Sequence, residues 1–148
     1  MKCLSFNYRG LANPNKKLAV KSLCLSERLD VIFLQETLGE GSLVNNLLLK
    51  FLPNWIFHFL DVRGRSGGCA MGFNKRTTKL HNVYVGDGFL GANITSWDYN
   101  FPLRLVNIYG PCHNREQFWG RLLETDFMQL ENLIIGGDLN FSIGLAKP

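Results

Sequence analysis

Apolar and polar positions change period twice along the chain. Residues 2–7 and 30–36 are compact apolar runs of strand type, each ending on polar groups. Between them, Asn13 and Pro14 form a helix start, with Asn at the N-cap and Pro at the first helical position. Leu18, Val20, Leu23, Cys24, Leu25 and Leu29 then recur at helical spacing and predict a buried helix face up to about Leu29. Ser42 is placed to cap a second helix, residues 43–51, that stops near Pro53. Beyond Pro53 the period shortens. Residues 55–60, 68–73, 79–85, 89–97 and 102–109 read as strands separated by Gly, Asn and Asp clusters, which predicts a meander of antiparallel hairpins. Asn114, with Gln117 three residues on, has the form of a capping box, and Phe118, Trp119, Leu122 and Leu123 supply the buried face of the helix it opens. The last strand is 132–137. With no repeat, low-complexity stretch or linker, residues 1–148 read as one α/β domain of strands and helices in layers.

Composition supports a packed core, since 46% apolar and 19% charged residues exclude a disordered chain. No apolar run approaches the ~20 residues of a membrane span, and Ser5, Asn7 and Arg9 interrupt any signal-like stretch. A nuclear or cytoplasmic protein is therefore expected, neither secreted nor membrane-bound. The net charge of +4 is compatible with a polyanionic partner without establishing one. Cys3, Cys24, Cys69 and Cys112 lack C-x-x-C spacing and read as reduced, buried thiols rather than a zinc site. His58, His81 and His113 have no partners at ligand or triad spacing, and no G-x-S-x-G element supports serine hydrolase chemistry.

The candidate chemistry sits at strand ends. Gly136-Gly137-Asp138-Leu139-Asn140 follows the apolar run Leu133-Ile134-Ile135, and Gln35-Glu36-Thr37 follows Val31-Ile32-Phe33-Leu34. A carboxylate at the end of a buried strand needs a cation, a donor or water. Asn7 closes a third strand and Tyr109 a fourth, so one polar site built from distant segments is expected, suited to metal-assisted chemistry on a phosphate. Glu36 could hold Mg²⁺, which prefers carboxylate oxygens, or be an exposed strand exit. Asn7 could orient a carboxylate or a phosphate oxygen, or serve as a turn residue. Asp138 and Asn140 alternate on an extended backbone and would point the same way, to activate and orient a water, unless they form a surface Asx turn. Tyr109 could donate to a phosphate or be a plain core aromatic. Arg115 could reach the same anion or sit on a solvated helix start. In the small-residue loop 63–68, Arg65 and Ser66 could approach a phosphodiester backbone, although a flexible hairpin loop is the simpler reading.

Taken in order, Leu4-Ser5-Phe6-Asn7-Tyr8-Arg9-Gly10-Leu11, Phe33-Leu34-Gln35-Glu36-Thr37, Ser66-Gly67-Gly68, Asn107-Ile108-Tyr109-Gly110-Pro111, Phe118-Trp119 and Ile135-Gly136-Gly137-Asp138-Leu139-Asn140 resemble the endonuclease/exonuclease/phosphatase superfamily. Within it, they are most similar to the endonuclease domain of plant LINE-type (non-LTR) retrotransposon polyproteins. The resemblance implies a four-layer α/β sandwich of two packed, largely antiparallel mixed sheets flanked by helices. It implies hydrolysis of a DNA phosphodiester with Mg²⁺ (or Mn²⁺), Glu36 holding the metal and Asn7 supporting that site. Tyr109 and Arg115 would contact the phosphate, Asp138 would activate the attacking water and Asn140 would orient it. In the retrotransposon relatives the nick primes a reverse transcriptase. Phe6 stands where relatives usually carry Trp. Arg9 stands where abasic-site endonucleases carry a second metal-binding Asp, which favours the retrotransposon branch.

The resemblance also implies a longer domain, whose last portion adds strands, an Asp and a terminal Ser-Asp-His element. The fold is accordingly expected to be incomplete at the C-terminus, and the chain to nick DNA poorly or not at all. The alternatives are a non-catalytic retroelement remnant and a phosphatase of the same superfamily.

Overall fold

The computed structural model describes residues 1–10, 14–38, 40–61 and 68–140. Strand β1 (Cys3–Asn7) runs parallel to β2 (Val31–Gln35), and α1 (Pro14–Ser26) connects them. Helix α2 (Gly41–Phe51) leads into β3 (Trp55–Leu60), which pairs antiparallel with β4 (Cys69–Asn74). β4 inserts beside β2, so the first sheet has the order β1-β2-β4-β3. The chain then crosses to a second sheet. β5 (Thr78–Gly86), β6 (Phe89–Ser96) and β7 (Leu103–Tyr109) form an antiparallel meander. After α3 (Arg115–Leu123) and a 3-10 turn (Asp126–Gln129), β8 (Leu133–Asp138) pairs parallel with β7, in the order β5-β6-β7-β8.

The expected five-strand meander is thus divided between two sheets. The period-2 pattern identifies strands but not their partners. β4 is buried along five of its six residues, so it needs cover on both faces and pairs with β2 in the first sheet.

The burial of β2 explains the layering. All five of its residues are buried. Val31 and Phe33 face the second sheet with Cys69, Met71 and Phe73, and meet Leu90, Ala92, Ile94, Leu103 and Leu105. Ile32 and Leu34 face the other way, onto Val20 and Cys24 of α1 and Val44 and Leu48 of α2. On the far side of the second sheet, Val106 and Ile108 pack against Phe118 and Leu122 of α3. The result is helices, sheet, sheet, helices: the expected four-layer α/β sandwich. Each large side chain so buried contributes about 1.5–3 kcal/mol relative to exposure. Among the described residues no helix is long and apolar enough to cross a membrane.

Local details depart from the sequence pattern. Leu18 and Leu25 of the expected α1 face are 54% and 60% exposed, because the helix buries only the narrow stripe of Val20 and Cys24. Leu123 is likewise exposed, one position past the buried Leu122. Ser42 lies inside α2, whose N-cap is Glu40, and its hydroxyl donates to Glu40 Oε1 at 3.1 Å. Asn114 is the N-cap of α3 but adopts a left-handed backbone (φ 54°) with no side-chain cap bond, so the capping box does not form. A left-handed backbone departs from the extended N-cap conformation that aims the side chain at the first turn. Cys24 and Cys69 are buried as expected, whereas Cys3 and Cys112 are exposed. The proposed cap Asn13 lies outside the described residues.

One buried amide joins the sheets. Asn107 on β7 is fully buried. Its Nδ2 donates to Leu34 O at 3.1 Å and Ala70 O at 2.8 Å, and its Oδ1 accepts from Gln35 Nε2 at 2.7 Å. The remaining Gln35 donor reaches Ser5 Oγ at 3.2 Å, and Ser5 Oγ accepts from Gly137 N at 3.1 Å. β7 and β8 of one sheet are thereby fixed against β1, β2 and β4 of the other. Asn107→Leu keeps the volume but strips partners from three buried groups, so urea unfolding should show a loss of roughly 3 kcal/mol or more. A loss below about 1 kcal/mol would show that the bonds carry little of the sheet-to-sheet register.

Tyr8 gives the opposite case. Its ring is fully buried, its hydroxyl has no hydrogen-bond partner among the described residues, and burial pushes its phenol up to about 12. Tyr8→Phe should therefore leave stability unchanged or raise it by about 1–3 kcal/mol. A clear drop in the unfolding midpoint would contradict this assignment.

Candidate active site

The two parallel strand pairs end at the same place. Asn7 and Gln35 are in register at the ends of β1 and β2, and Tyr109 and Asp138 at the ends of β7 and β8. Carboxyl ends of parallel strands are where open α/β sheets place their ligands. Glu36 follows β2 directly with φ 53°, a left-handed turn that breaks the strand's extended course. Two backbone bonds hold this turn, from Tyr8 N to Gln35 O and from Gly10 N to Glu36 O, both 2.8 Å.

The glycines before Asp138 let β8 approach closely. A Cβ on Gly136 would lie 2.4 Å from Phe33 Cδ2, and one on Gly137 would lie 1.9 Å from Ile108 O. Gly137 also has φ 133°, a conformation disfavoured for residues with side chains. Both positions therefore require glycine, and Asp138 arrives beside β1.

Asn7 links the carboxylates. Its Nδ2 donates to Glu36 Oε1 at 3.0 Å and to Asp138 Oδ2 at 2.9 Å. Residues separated by more than a hundred positions thus share one amide group. Both N–H bonds of that amide are used, and its Oδ1 is buried with no partner among the described residues. No Lys or Arg among the described residues is ion-paired with either carboxylate. Among the described residues, the neutral amide of Asn7 is the donor that joins the two carboxylates.

Tyr109 completes the cluster. Burial raises its phenol above the ordinary value, and the negative charges of Glu36, Cys112 and Asp138 raise it further. The hydroxyl therefore stays protonated past neutral pH and remains a donor.

The remaining expected site residues are placed differently. Asn140 does not continue an extended strand. β8 ends at Asp138, and Asn140 has φ 49°. Its backbone N donates to Asp138 Oδ1 at 3.2 Å, and its Nδ2 donates to Gly110 O. The first bond is an Asx turn, in which the short Asp138 side chain accepts from the backbone two residues on. Asn140 braces Asp138 and the turn after β7. Arg115 is exposed, and its Nε donates to Cys112 O at 3.2 Å, beside an open hollow of about 520 Å³ lined by Cys112, His113, Asn114, Arg115, Glu116 and Gln117. Arg65 and Ser66 lie outside the described residues.

Ser5, Gln35 and Asn107 are supporting residues that strand patterns alone do not single out. Their signal is a polar side chain inside an otherwise apolar strand, which must find a buried partner.

The cluster fits a hard divalent cation. Glu36 and Asp138 supply carboxylate oxygens, and Asn7 Oδ1 is an orphaned carbonyl oxygen. Mg²⁺ is commonly bound through one or two carboxylates and keeps several waters. Among the described residues no group of three or more His, Cys, Asp or Glu side chains gathers as a closed metal cage.

Residues 3–144 match the model of the Endonuclease/Exonuclease/phosphatase family. The chain belongs to this family. No curated protein matches it in sequence. Solved structures of similar fold include a humanized D. rerio TDP2, with 19% identity over 95% of this chain and 66% of that one and a TM-score of 0.73. A Neisseria 3′ phosphatase, NExo, bound to a product DNA hairpin matches with 18% identity over 93% and 57% of the two chains and a TM-score of 0.71. Mannosyl-6-phosphatase from Bacteroides thetaiotaomicron matches with 11% identity over 93% and 64% and a TM-score of 0.69. The chain spans roughly three-fifths to two-thirds of the length of these family structures.

Asn7→Ala removes the shared donor and leaves two carboxylates facing each other. Without divalent cations the variant should lose about 1–3 kcal/mol in denaturant unfolding, and Mg²⁺ should restore part of it. Equal stability of variant and parent in EDTA would show that the amide does not hold the pair.

Proposed function

We propose that this chain is a metal-dependent DNA endonuclease domain, hydrolysing a phosphodiester with Mg²⁺ or Mn²⁺. The observation that carries the reading is the Asn7 amide, whose nitrogen reaches Glu36 at 3.0 Å and Asp138 at 2.9 Å. Glu36, with the free Asn7 Oδ1, would hold the cation. When bound, the cation supplies positive charge against the charge that builds on the phosphate and on the leaving oxygen.

The chain's own groups do the rest. Asp138 takes the proton of the attacking water at a carboxylate oxygen as the water oxygen bonds to phosphorus. The Asn7 N–H bonds keep Asp138 and Glu36 oriented, and the Asn140 backbone N–H fixes the second Asp138 oxygen. Tyr109 donates its hydroxyl proton in a hydrogen bond to a non-bridging phosphate oxygen. The bond from phosphorus to the leaving oxygen breaks, and that oxygen is protonated from solvent. By the family resemblance Arg115 is assigned to the phosphate, and Arg65 and Ser66 are assigned to the DNA backbone.

As the family resemblance implies, turnover by this chain is expected to be low. The branch we favour is that of plant LINE-type retrotransposon endonucleases, acting on nuclear or cytoplasmic DNA beside a reverse transcriptase. Arg9 and the run 107–111 support that branch.

A supercoiled plasmid separates the readings. With Mg²⁺ or Mn²⁺, slow nicking is expected, abolished by EDTA and reduced about 100-fold or more in Glu36→Gln and Asp138→Asn. Phosphate release from a 3′-phosphorylated oligonucleotide, with no nicking at any metal concentration, would overturn the endonuclease in favour of a phosphatase.

A further inference from the structure

The turn between β6 and β7 lies at the start of β7, whereas Tyr109 ends it. The seven residues of that strand span about 20 Å, so the turn and the carboxylate cluster occupy opposite ends of the sandwich. The turn carries three exposed aromatic rings. Trp97 is 83% exposed, and Tyr99 and Phe101 are about two-fifths exposed with centroids 5.3 Å apart. Trp97 N donates to Thr77 O at 3.2 Å, which ties the turn to the one joining β4 and β5. That second turn presents Lys75 and Arg76, both exposed.

The adjoining sheet face is open and basic. Thr78 and Ser96 are in register and buried, so Lys79, Thr95 and Trp97 point to the outer face. Lys79 and Trp97 are diagonal neighbours there. His81 Nε2 lies 3.0 Å from Thr95 Oγ1 on the same face. Arg104 stands opposite Asn93, and its Nη1 donates to Glu131 O at 2.6 Å. Further along, the outer face is covered: Phe127 sits over Gly91, where a Cβ would lie 2.8 Å from its ring, and meets Tyr84 as a tilted pair with centroids 4.8 Å apart. Tyr84 reaches Asn93, whose Nδ2 donates to its hydroxyl at 2.8 Å; Trp97, two residues beyond Thr95, is exposed. The acidic groups at this end include Glu131, Asp98 and Asp30; the Asp98 carboxylate accepts from the Met1 amino group, and the Asp30 carboxylate accepts from Lys2 N at 2.6 Å.

Exposed rings beside a row of cations are the elements that hold single-stranded nucleic acid, since every base has a face to stack and every link a charge to neutralise. A protein partner would be better served by rings without the cations, because charged residues are depleted in the core of such interfaces. We propose that Trp97, Tyr99 and Phe101, with Lys75, Arg76, Lys79 and Arg104, form a second nucleic-acid surface that holds a single strand away from the reaction centre. Bases stack on Trp97, and the cations meet the phosphates.

The surface carries its own probe. Trp55 is buried and Trp119 half-buried, so Trp97 is the most solvent-accessible indole. An oligothymidylate of about 12 nucleotides, added in EDTA so that no cleavage intervenes, should quench tryptophan emission. The apparent affinity should fall steeply with salt. Trp97→Ala should weaken binding measured by anisotropy roughly 5- to 100-fold, and Trp97→Phe should retain most of it. Lys79→Glu, at an exposed side chain on the outer face, should weaken binding and flatten the salt slope while leaving the thermal melt unchanged. Binding that Trp97→Ala does not alter, or oligothymidylate that leaves emission unchanged, would overturn the proposal. So would self-association abolished by Trp97→Ala, because it would assign the rings to a protein contact. These readouts need no metal, so the surface and the nuclease reading can fail separately.

Discussion

The structure depends on a single buried amide. Asn107 bonds across an interface whose core is apolar, and Ser5 and Asn7 add polar links where β1 meets β8. Apolar packing is strong but does not fix position along a strand, since the hydrophobic effect is non-directional. Hydrogen bonds to Leu34 O, Ala70 O and Gln35 Nε2 do fix it, because a shift by one residue would leave several buried polar groups unpaired. Through Gln35 and Ser5 the same network reaches Gly137, one residue before Asp138. The position of a candidate catalytic carboxylate is thus set by a chain of bonds that starts in the core.

At the other end of that chain, electrostatics take over. Glu36 and Asp138 share the Asn7 amide, and Tyr109 feels both charges. A pair of carboxylates joined by a neutral donor is a poised arrangement, because a cation of the kind proposed would relieve their mutual repulsion. Stability is given up locally, and the apolar layers on both sides supply it. That division suits an active site: a rigid scaffold built from strands, and polar groups confined to strand ends and turns.

Much of this was legible in the chain. The paired glycines before Asp138, the apolar run before Glu36 and the polar residue closing β1 each carry a local physical reason, and those residues do meet. The layered α/β class followed from alternating periods, and the four layers from a resemblance spread over most of the sequence. What the pattern missed was partnership and conformation. Residues 55–60 and 68–73 look like the strands that follow them, yet they belong to another sheet because β4 is covered on both faces. Asn140 looked extended but turns left-handed, because a short amide finds the carbonyl of Gly110. Asn114 kept its place at the start of α3 but not its bond, since backbone conformation decides whether a cap can reach. Leu18 and Leu25 show that helical spacing alone overstates the width of a buried stripe.

The central claim is that Glu36, with Asn7, holds a divalent cation beside Asp138. Mn²⁺ titration followed by electron paramagnetic resonance tests it directly, because free and bound ions are distinguished without any reaction. One bound ion per chain is predicted for the parent, displaced by excess Mg²⁺ and lost in the double variant Glu36→Gln, Asp138→Asn. Parent and variant binding Mn²⁺ alike, or neither binding it, would contradict the account.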